Sequence, residues 1–236
     1  MIVLDLFCGS GSWGRAFAEL GWEVYSIDSD PKWPATETAD VHEWTPPARL
    51  HGGVDVVCVG VPCTHYSTAN KQKTEEKFET TRALWRRAFA IADLVMRPGG
   101  VLLCENPSRT ELTGCKSQPI GDMQRMAPHL LSWEVTYCTY STEQDMYSWK
   151  LTTLWSNVDL PQFGFVPRRC RPGQRCDVGA MDERTKYYKH FARMAFCPEV
   201  RNQSMQRSAV NWSSVPHDLC CDVRDACIQA LGRLRA

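Results

Sequence analysis

The chain has 236 residues, 43% of them hydrophobic, and its 27 Lys and Arg side chains balance 27 Asp and Glu. This length and composition exclude a disordered chain and predict one α/β domain with a small appendage. The charge is unevenly placed, because residues 151–236 hold 13 basic and 8 acidic side chains, a net charge of +5. That basic region permits a polyanionic partner without requiring one.

The N terminus has no feature of a secretory signal, since Met1 leads directly into the apolar Ile2-Val3-Leu4. No apolar run approaches the length of about 18 residues that indicates a membrane-spanning helix. We therefore expect an intracellular protein, in the cytoplasm or nucleus of a host cell, that is not secreted and has no membrane partner. In such a compartment the 12 cysteines are expected to be reduced thiols.

A glycine-rich turn follows the first predicted strand. Ile2–Phe7 is apolar and predicts a strand, and Ser12–Leu20 has the apolar spacing of a helix. Gly9, Gly11 and Gly14 form a G-x-G-x-x-G pattern between them, which lets backbone approach a ligand beside the free N–H groups of a helix N terminus. An ordinary turn in a ligand-free α/β domain is the alternative.

Two carboxylates follow this turn. A second predicted strand, Trp22–Ile27, carries Asp28 at its carboxyl end, 17 residues after Gly11. A carboxylate in that position suits hydrogen bonds from ribose hydroxyl groups. Asp40 lies in the linker-like stretch Pro31–Pro47, beside the end of a very short predicted strand.

The apolar run Val54–Val61 predicts a buried strand, which ends at Pro62 and is followed by Cys63. A thiol on the loop after the carboxyl end of a parallel strand lies where open α/β sheets place their chemistry. We interpret Cys63 as a nucleophile; the alternative is a cysteine that merely ends a strand. The polar segment Thr68–Lys77 predicts either a mobile loop over the site or a solvated connection.

A regular helix, Thr80–Met96, leads into the predicted strand Val101–Cys104. Glu105 stands at the end of that strand and is expected at the same sheet edge as Cys63, unless it serves as a cap or ion-pair carboxylate. Trp133–Cys138 and Ser148–Trp155 predict two strands joined in an antiparallel hairpin that closes the sheet.

The last third of the sequence predicts a small appendage and a closing helix. Residues 164–175 are rich in arginine: Arg168, Arg169, Arg171 and Arg175. Cys170 and Cys176 are too few for a zinc site unless His190 and Cys197 complete it, so no metal is predicted. We predict a catalytic domain over 1–157, a basic substrate-recognition appendage over 158–207, and a segment over 208–236 that returns to the catalytic domain as the helix His217–Leu234.

Three motifs stand in order along the chain: Asp5-Leu6-Phe7-Cys8-Gly9-Ser10-Gly11, Pro62-Cys63-Thr64-His65-Tyr66-Ser67 and Glu105-Asn106-Pro107. This ordered set resembles the DNA cytosine-5 methyltransferase family, especially its compact members in phages and viruses. The resemblance runs through residues 2–157 and faintly into the last 30. It implies a Rossmann-like, S-adenosylmethionine-dependent methyltransferase fold with a mostly parallel sheet, an antiparallel hairpin at one edge and a small basic appendage.

The resemblance also implies S-adenosylmethionine as cofactor and DNA as substrate, with the target cytosine flipped out of the helix. Cys63 matches the catalytic cysteine, and Glu105 matches the glutamate that engages the base. The residues predicted to bind the cofactor are Phe7, Gly9, Gly11, Trp13, Asp28, Asp40 and Pro62. Those predicted to bind the substrate are Ser67, Asn106, Lys150, Arg168, Arg169 and Arg171.

Both catalytic groups are needed because carbon 5 of cytosine is too weak a nucleophile to attack a methyl sulfonium. A thiolate that adds to carbon 6 converts the ring into an enamine, and so divides one difficult step into easier ones. A carboxyl group at ring nitrogen 3 stabilises that adduct. The thiol needs a lowered pKa or a proton acceptor, and a helix N terminus after Ser67 or a nearby cation is a candidate for that role.

The chain departs from the family pattern at several positions. Val61 and Thr64 stand where a proline and a glutamine are usual, and Pro107 stands where valine is common. The family's Gln-x-Arg-x-Arg strand is missing, and its nearest counterpart places Lys150 in the position of an arginine.

A large target-recognition domain is also missing, because only about 50 residues, Val158–Arg207, separate the hairpin from the C-terminal segment. RNA or a free cytosine nucleotide therefore stays open as the substrate. An inactive cofactor-binding module that regulates a partner enzyme is a further alternative. A dinucleotide oxidoreductase fits the glycine pattern alone but leaves the other two motifs unexplained.

Overall fold

The computed structural model describes residues 1–65, 74–108, 118–141, 150–170, 179–181, 188–190 and 214–234. The strands are β1 (Ile2–Leu6), β2 (Glu23–Asp28), β3 (Glu37–Thr38), β4 (Val54–Val59), β5 (Met96–Pro107), β6 (Leu131–Thr136), β7 (Leu151–Ser156), β8 (Gly179–Met181) and β9 (Tyr188–His190). The α-helices are α1 (Ser12–Ala18), α2 (Glu75–Val95), α3 (Gln118–Met126) and α4 (His217–Leu234). Short 3-10 turns occur at Ala48–Leu50, Tyr137–Tyr140 and Leu160–Phe163.

Seven strands form one mixed sheet in the order β3-β2-β1-β4-β5-β7-β6. The first five of these are parallel neighbours, whereas β7 is antiparallel to both β5 and β6. The predicted α/β, Rossmann-like fold with an antiparallel pair at one edge is therefore confirmed. β8 and β9 pair with each other in a separate antiparallel ribbon.

The sheet has a hydrophobic core on each face, because successive residues of a strand point to opposite sides. Val3 and Val56 belong to one core, together with residues of α1 and α4. Their neighbours Leu4 and Val57 belong to the other core, together with residues of α2 and α3. Strands buried on both faces explain the continuous apolar runs of the sequence.

β5 is longer than the sequence predicts. Glu105, Asn106 and Pro107 were expected to follow the strand, but they belong to it, since they pair with residues of β7. The antiparallel partner extends the ladder past the point where the apolar run ends at Cys104. Glu105 therefore projects from a strand and not from a loop, which fixes its backbone more firmly.

Other boundaries also differ from the expectation. α2 begins at Glu75, five residues before the predicted start, because Thr74 caps it by accepting a hydrogen bond from the Lys77 amide at 3.3 Å. The predicted strand over Trp133–Cys138 ends at Thr136, and Tyr137 begins a 3-10 turn. The predicted helix His217–Leu234 is confirmed.

The C-terminal helix α4 packs against α1, the helix that follows the glycine-rich turn. Arg224 of α4 is 9% exposed, and its Nη1 donates a hydrogen bond of 2.8 Å to the carbonyl oxygen of Ala16. A cation at the carbonyl end of a helix satisfies unpaired carbonyl groups and stabilises the helix dipole. None of the helices described here is long and apolar enough to cross a membrane.

Candidate active site

The glycine-rich turn after β1 takes left-handed backbone conformations at three positions. Gly9 has φ 50° and Gly11 has φ 71°, a region that costs residues with a Cβ but not glycine. Phe7 also has a positive φ, 59°, although it is not glycine. A non-glycine residue in this region stores strain and persists only where the surrounding structure holds it, which is typical of ligand-binding turns.

The space over this turn is open. A Cβ added at Gly9 or at Gly11 would meet no atom within 4 Å. These glycines are thus required by their backbone angles rather than by crowding from the protein. The turn is held from the side by Asp28, whose Oδ2 accepts a hydrogen bond of 2.9 Å from the Gly9 amide. The turn and the predicted ribose carboxylate therefore form one unit.

Asp5 lies beneath the turn, in β1, and is 1% exposed. Its Oδ2 accepts a hydrogen bond of 3.1 Å from the amide of Gly14, which anchors the first turn of α1. Burial raises the pKa of Asp5 to about 7, and the negative charge of Asp28 contributes to the increase, while the Gly14 amide opposes it. Asp5 is part of the first motif, but sequence reasoning gave it no role.

The remaining predicted cofactor residues lie in different surroundings. Asp40 is exposed and accepts a hydrogen bond of 2.9 Å from the His42 amide, two residues past the end of β3. Because β3 is the parallel neighbour of β2, Asp40 and Asp28 lie at the same sheet edge. Pro62 is exposed, whereas Trp13 is 5% exposed and packs in the core shared with α4. Most of the Trp13 side chain is thus covered by packing in the protein core.

Cys63 and Glu105 lie at the same edge of the sheet, as the sequence predicts. β4 and β5 are parallel neighbours, and Val59, the last residue of β4, pairs with Cys104. Glu105 is the next residue of β5, and Cys63 follows β4 by four positions. The loop that carries Cys63 is tied to α2 by a contact of 3.1 Å between His65 Nδ1 and Thr81 Oγ1.

Two donors converge on one oxygen of Glu105. The Tyr137 hydroxyl donates to Oε1 at 3.0 Å, and Lys150 Nζ donates to the same atom at 3.3 Å. Lys150 also lies over the Tyr137 ring, 4.7 Å from its centroid. No donor contacts Oε2 within the described residues, so this oxygen is the one available to a substrate.

The charges of this cluster act on one another. Burial is the largest single effect and disfavours the Lys150 cation, but the charge and hydrogen bond of Glu105, together with the charges of Tyr137 and Cys63, outweigh burial and raise the pKa of Lys150. Burial raises the pKa of Cys63; the positive charge of Lys150 opposes that increase and the negative charge of Glu105 adds to it. Lys150 is therefore a cation whose charge acts on the Cys63 thiol, and the three side chains form one electrostatic unit.

The predicted substrate residues divide into two groups. Asn106 is 2% exposed, and its amide is satisfied internally: Oδ1 accepts from Trp155 Nε1 at 3.0 Å, and Nδ2 donates to the Pro119 carbonyl at 3.3 Å. It holds β5 in place beside Glu105. Lys150 is placed at the cluster, as described above. Ser67 and Arg171 lie outside the described residues.

Arg168 and Arg169 lie on the surface and have acidic partners. Arg168 pairs with Asp222 of α4 at 2.6 Å and lies over the Tyr140 ring, and Arg169 pairs with Glu134 at 2.8 Å. Exposed ion pairs of this kind contribute little stability, about 0–1 kcal/mol. Both guanidinium groups can therefore exchange their partner for a phosphate at low cost.

Sequence reasoning missed Tyr137 as a member of the site. Its backbone amide donates to the Lys150 carbonyl at 3.1 Å, just beyond the paired ends of β6 and β7. No motif marks it, because its position depends on the register of that antiparallel pair. The strand pattern around Trp133 and Val135 indicated a tyrosine near the sheet end but not which carboxylate it would meet.

Comparisons with known proteins indicate methyltransferases. No protein-family model matches the chain. The type II methyltransferase M.AgeI of Thalassovita gelatinovora is 27% identical over 142 residues, which are 48% of this chain and 33% of that protein. The chain thus matches about a third of the length of this curated relative.

Two solved structures have similar folds at low identity. A putative DNA modification methyltransferase encoded within a prophage of E. coli is 16% identical, with a TM-score of 0.47 over 73% of this chain and 52% of that chain. The Dnmt2 methyltransferase of S. pombe is 13% identical, with a TM-score of 0.46 over 71% of this chain and 57% of that chain.

Proposed function

We propose that the protein is an S-adenosylmethionine-dependent methyltransferase that acts on carbon 5 of cytosine in DNA. The observation that carries this proposal is the convergence of Cys63, Glu105 and Lys150 at the carboxyl edge of the parallel sheet. In open α/β sheets this edge holds the ligands. The 27% identity to a type II methyltransferase supports methyl transfer as the reaction.

The glycine-rich turn suits S-adenosylmethionine. Open space over Gly9 and Gly11 leaves room for the ligand, and the left-handed angles present their backbone to it. Asp28 retains lone pairs for ribose hydroxyl groups, since a carboxylate accepts more bonds than those from the Gly9 and Asp30 amides. Asp40 lies at the same edge for the adenine end. When bound, the cofactor supplies an electrophilic methyl group.

In the proposed reaction Cys63 is the nucleophile. Its thiolate adds to carbon 6 of the flipped cytosine, which makes carbon 5 nucleophilic towards the methyl group. Once carbon 5 carries the methyl group it would lose its proton to solvent, and elimination at carbon 6 would return the thiolate of Cys63. Because burial raises the pKa of Cys63, the Lys150 cation is needed to keep the thiolate accessible.

Glu105 stabilises the adduct by sharing a proton between Oε2 and ring nitrogen 3, where negative charge develops when the thiolate adds to carbon 6. Tyr137 and Lys150 both contact Oε1, which leaves Oε2 to face the base. A carboxyl group whose one oxygen is fixed by two donors is preorganised, and preorganised groups act on the developing charge without reorganisation. Asn106, the next residue of β5, helps to hold the strand in place through its hydrogen bonds to Trp155 and Pro119.

DNA is the substrate that the basic surface favours. Arg168 and Arg169 would contact phosphates, and their existing ion pairs would exchange for them. Affinity would then fall steeply with salt concentration.

The division into a catalytic domain over 1–157, an appendage over 158–207 and a returning segment over 208–236 belongs to the same proposal. RNA or a free cytosine nucleotide is the second candidate, because a large recognition domain is missing.

The test uses tritiated S-adenosylmethionine with duplex DNA, single-stranded DNA, RNA or dCMP. Label in duplex DNA is expected, and label in RNA or dCMP alone would favour the second candidate.

Duplex DNA containing 5-fluorocytosine then tests the covalent step, because fluorine at carbon 5 blocks the proton loss that releases the enzyme. A protein–DNA adduct that forms with wild-type enzyme but not with Cys63→Ser is expected. Cofactor binding without label in any substrate would instead indicate an inactive regulatory module.

A further inference from the structure

A cluster of side chains with metal-ligand chemistry lies where α4 meets the end of α1. Glu19 caps the C terminus of α1, and Gly11 of the glycine-rich turn precedes the first residue of the same helix. At 1.5 Å of rise per residue, the cluster is thus about 12 Å from that turn. His217 and Cys221 come from the first turns of α4, at positions i and i+4 of one helix face.

Two of the three separations between these ligand atoms match those of a tetrahedral zinc site. His217 Nε2 lies 3.4 Å from Glu19 Oε1 and 3.5 Å from Cys221 Sγ, and all three ligand atoms lie within 4.8 Å of one another. Zinc bond lengths and tetrahedral angles predict about 3.4 Å between a nitrogen and an oxygen ligand and about 3.6 Å between a nitrogen and a sulfur ligand. The third separation, between Glu19 Oε1 and Cys221 Sγ, is no more than 4.8 Å.

Glu19 is also held in the orientation that a ligand needs. Its second oxygen, Oε2, lies 3.5 Å from Arg224 Nη1, and that arginine is fixed by its hydrogen bond to the Ala16 carbonyl. Metal-bound carboxylates commonly have such a second partner, which orients them and tunes the site. Oε1 is left to face His217 and Cys221.

The cluster has solvent on one side. The side chains of Glu19 and His217 are 51% and 43% exposed, so an ion can reach the position and keep a water as fourth ligand. An ion pair between His217 and Glu19 accounts for one of the contacts. The i and i+4 spacing brings the Cys221 thiol to the same imidazole nitrogen, so the three possible ligand atoms lie close together.

We propose that Glu19, His217 and Cys221 bind one zinc ion. His217 donates Nε2, Cys221 donates its thiolate after losing the thiol proton to solvent, and Glu19 donates Oε1. The ion would join the C-terminal helix to the helix that follows the cofactor turn, and would stabilise that packing. This site does not depend on the proposed methyl transfer.

The test is titration of the metal-free full chain with Co²⁺, followed by displacement with Zn²⁺. Cys63→Ala is used as the parent because Cys63 and Cys221 are the two half-buried thiols among the described cysteines. Binding at one ion per chain, with a thiolate-to-cobalt absorption band, is expected. Cys221→Ser should abolish the band, and His217→Gln and Glu19→Gln should each weaken binding by about tenfold or more.

Matched controls are His42→Gln and Glu23→Gln, an exposed histidine and an exposed carboxylate outside the cluster. Both should bind Co²⁺ as the parent does. Zn²⁺ should also raise the melting temperature of the parent but not of His217→Gln, since a ligand bound by the folded state stabilises it. Lack of saturable binding, or a band that persists in Cys221→Ser, would overturn the proposal.

Discussion

The Tyr137 hydroxyl donates a hydrogen bond of 3.0 Å to Oε1 of Glu105, across 32 positions of sequence. The bond exists because β7 inserts between β5 and β6 and brings the ends of both strands to one point. Lys150 enters the same point from the start of β7. Two donors thereby fix Glu105, and removing one of them tests how much this contributes to the proposed reaction.

Removal of the hydroxyl in Tyr137→Phe is expected to lower kcat by about 10-fold to 100-fold, since a hydrogen bond to a charged group contributes about 1.5–3 kcal/mol. KM for S-adenosylmethionine should stay the same, because Tyr137 contacts Glu105 and not the cofactor turn. Tyr140→Phe is the matched control, because the Tyr140 hydroxyl accepts a hydrogen bond from the Arg168 amide and belongs to a contact separate from that of Tyr137 with Glu105. Equal losses in both variants would show a general effect on stability.

The reactivity of Cys63 towards iodoacetamide is expected to rise with pH, with an apparent pKa above that of an ordinary thiol, because burial raises it. Lys150→Met removes the cation that lowers this pKa, so its profile should move to still higher pH. Glu105→Gln removes the charge that raises it and should move the profile to lower pH. Mass spectrometry of the Cys63 peptide measures each rate. Shifts in the opposite directions would show that the charges do not act on the thiol as described.

Asp28→Ala is expected to weaken S-adenosylmethionine binding by about 10-fold or more, since it removes a charged acceptor and also frees the Gly9 amide. Isothermal titration calorimetry measures the dissociation constant. Asp30→Asn is the control, because Asp30 is an acid of the same loop whose carboxylate pairs with Lys32. An unchanged constant in Asp28→Ala would remove this residue from the site.

Asp5 should make the protein less stable as pH rises. Burial raises its pKa from 3.8, the ordinary value for an aspartate, to about 7 in the folded chain, so the folded state holds the proton more tightly. Its stabilising contribution is complete below pH 3.8 and is lost as pH rises through 7. Between pH 5 and 8 the free energy of unfolding is expected to fall by up to about 3 kcal/mol from this group.

Asp5→Asn keeps an acceptor for the Gly14 amide but does not titrate, so it should lack that loss and gain stability over wild type at pH 8. Urea denaturation at the two pH values measures the difference. Asp93→Asn, at an exposed position of α2, should follow the wild-type profile. Parallel profiles for wild type and Asp5→Asn would show that Asp5 is ionised at both pH values.

Local patterns were enough to predict the parallel part of the sheet. β4 reads as an apolar run because it is buried on both faces, and the proline after it marks its end. Chain direction then places Cys63 and Glu105 at one edge, because parallel strands all end on the same side. The three ordered motifs also indicated the chemistry, since each is a local match that needs no knowledge of distant contacts.

The tertiary structure decided what lies around those residues. Tyr137, the Lys150 contact and the extension of β5 to Pro107 all depend on the register between antiparallel strands that are far apart in sequence. Likewise, Glu19 and His217 meet across 198 positions because α4 packs on α1. Periodicity reports which face of an element is buried but not which partner buries it. The candidate nucleophile, Glu105 and Lys150 could therefore be selected from the sequence, whereas Tyr137 and the contacts among these groups could not.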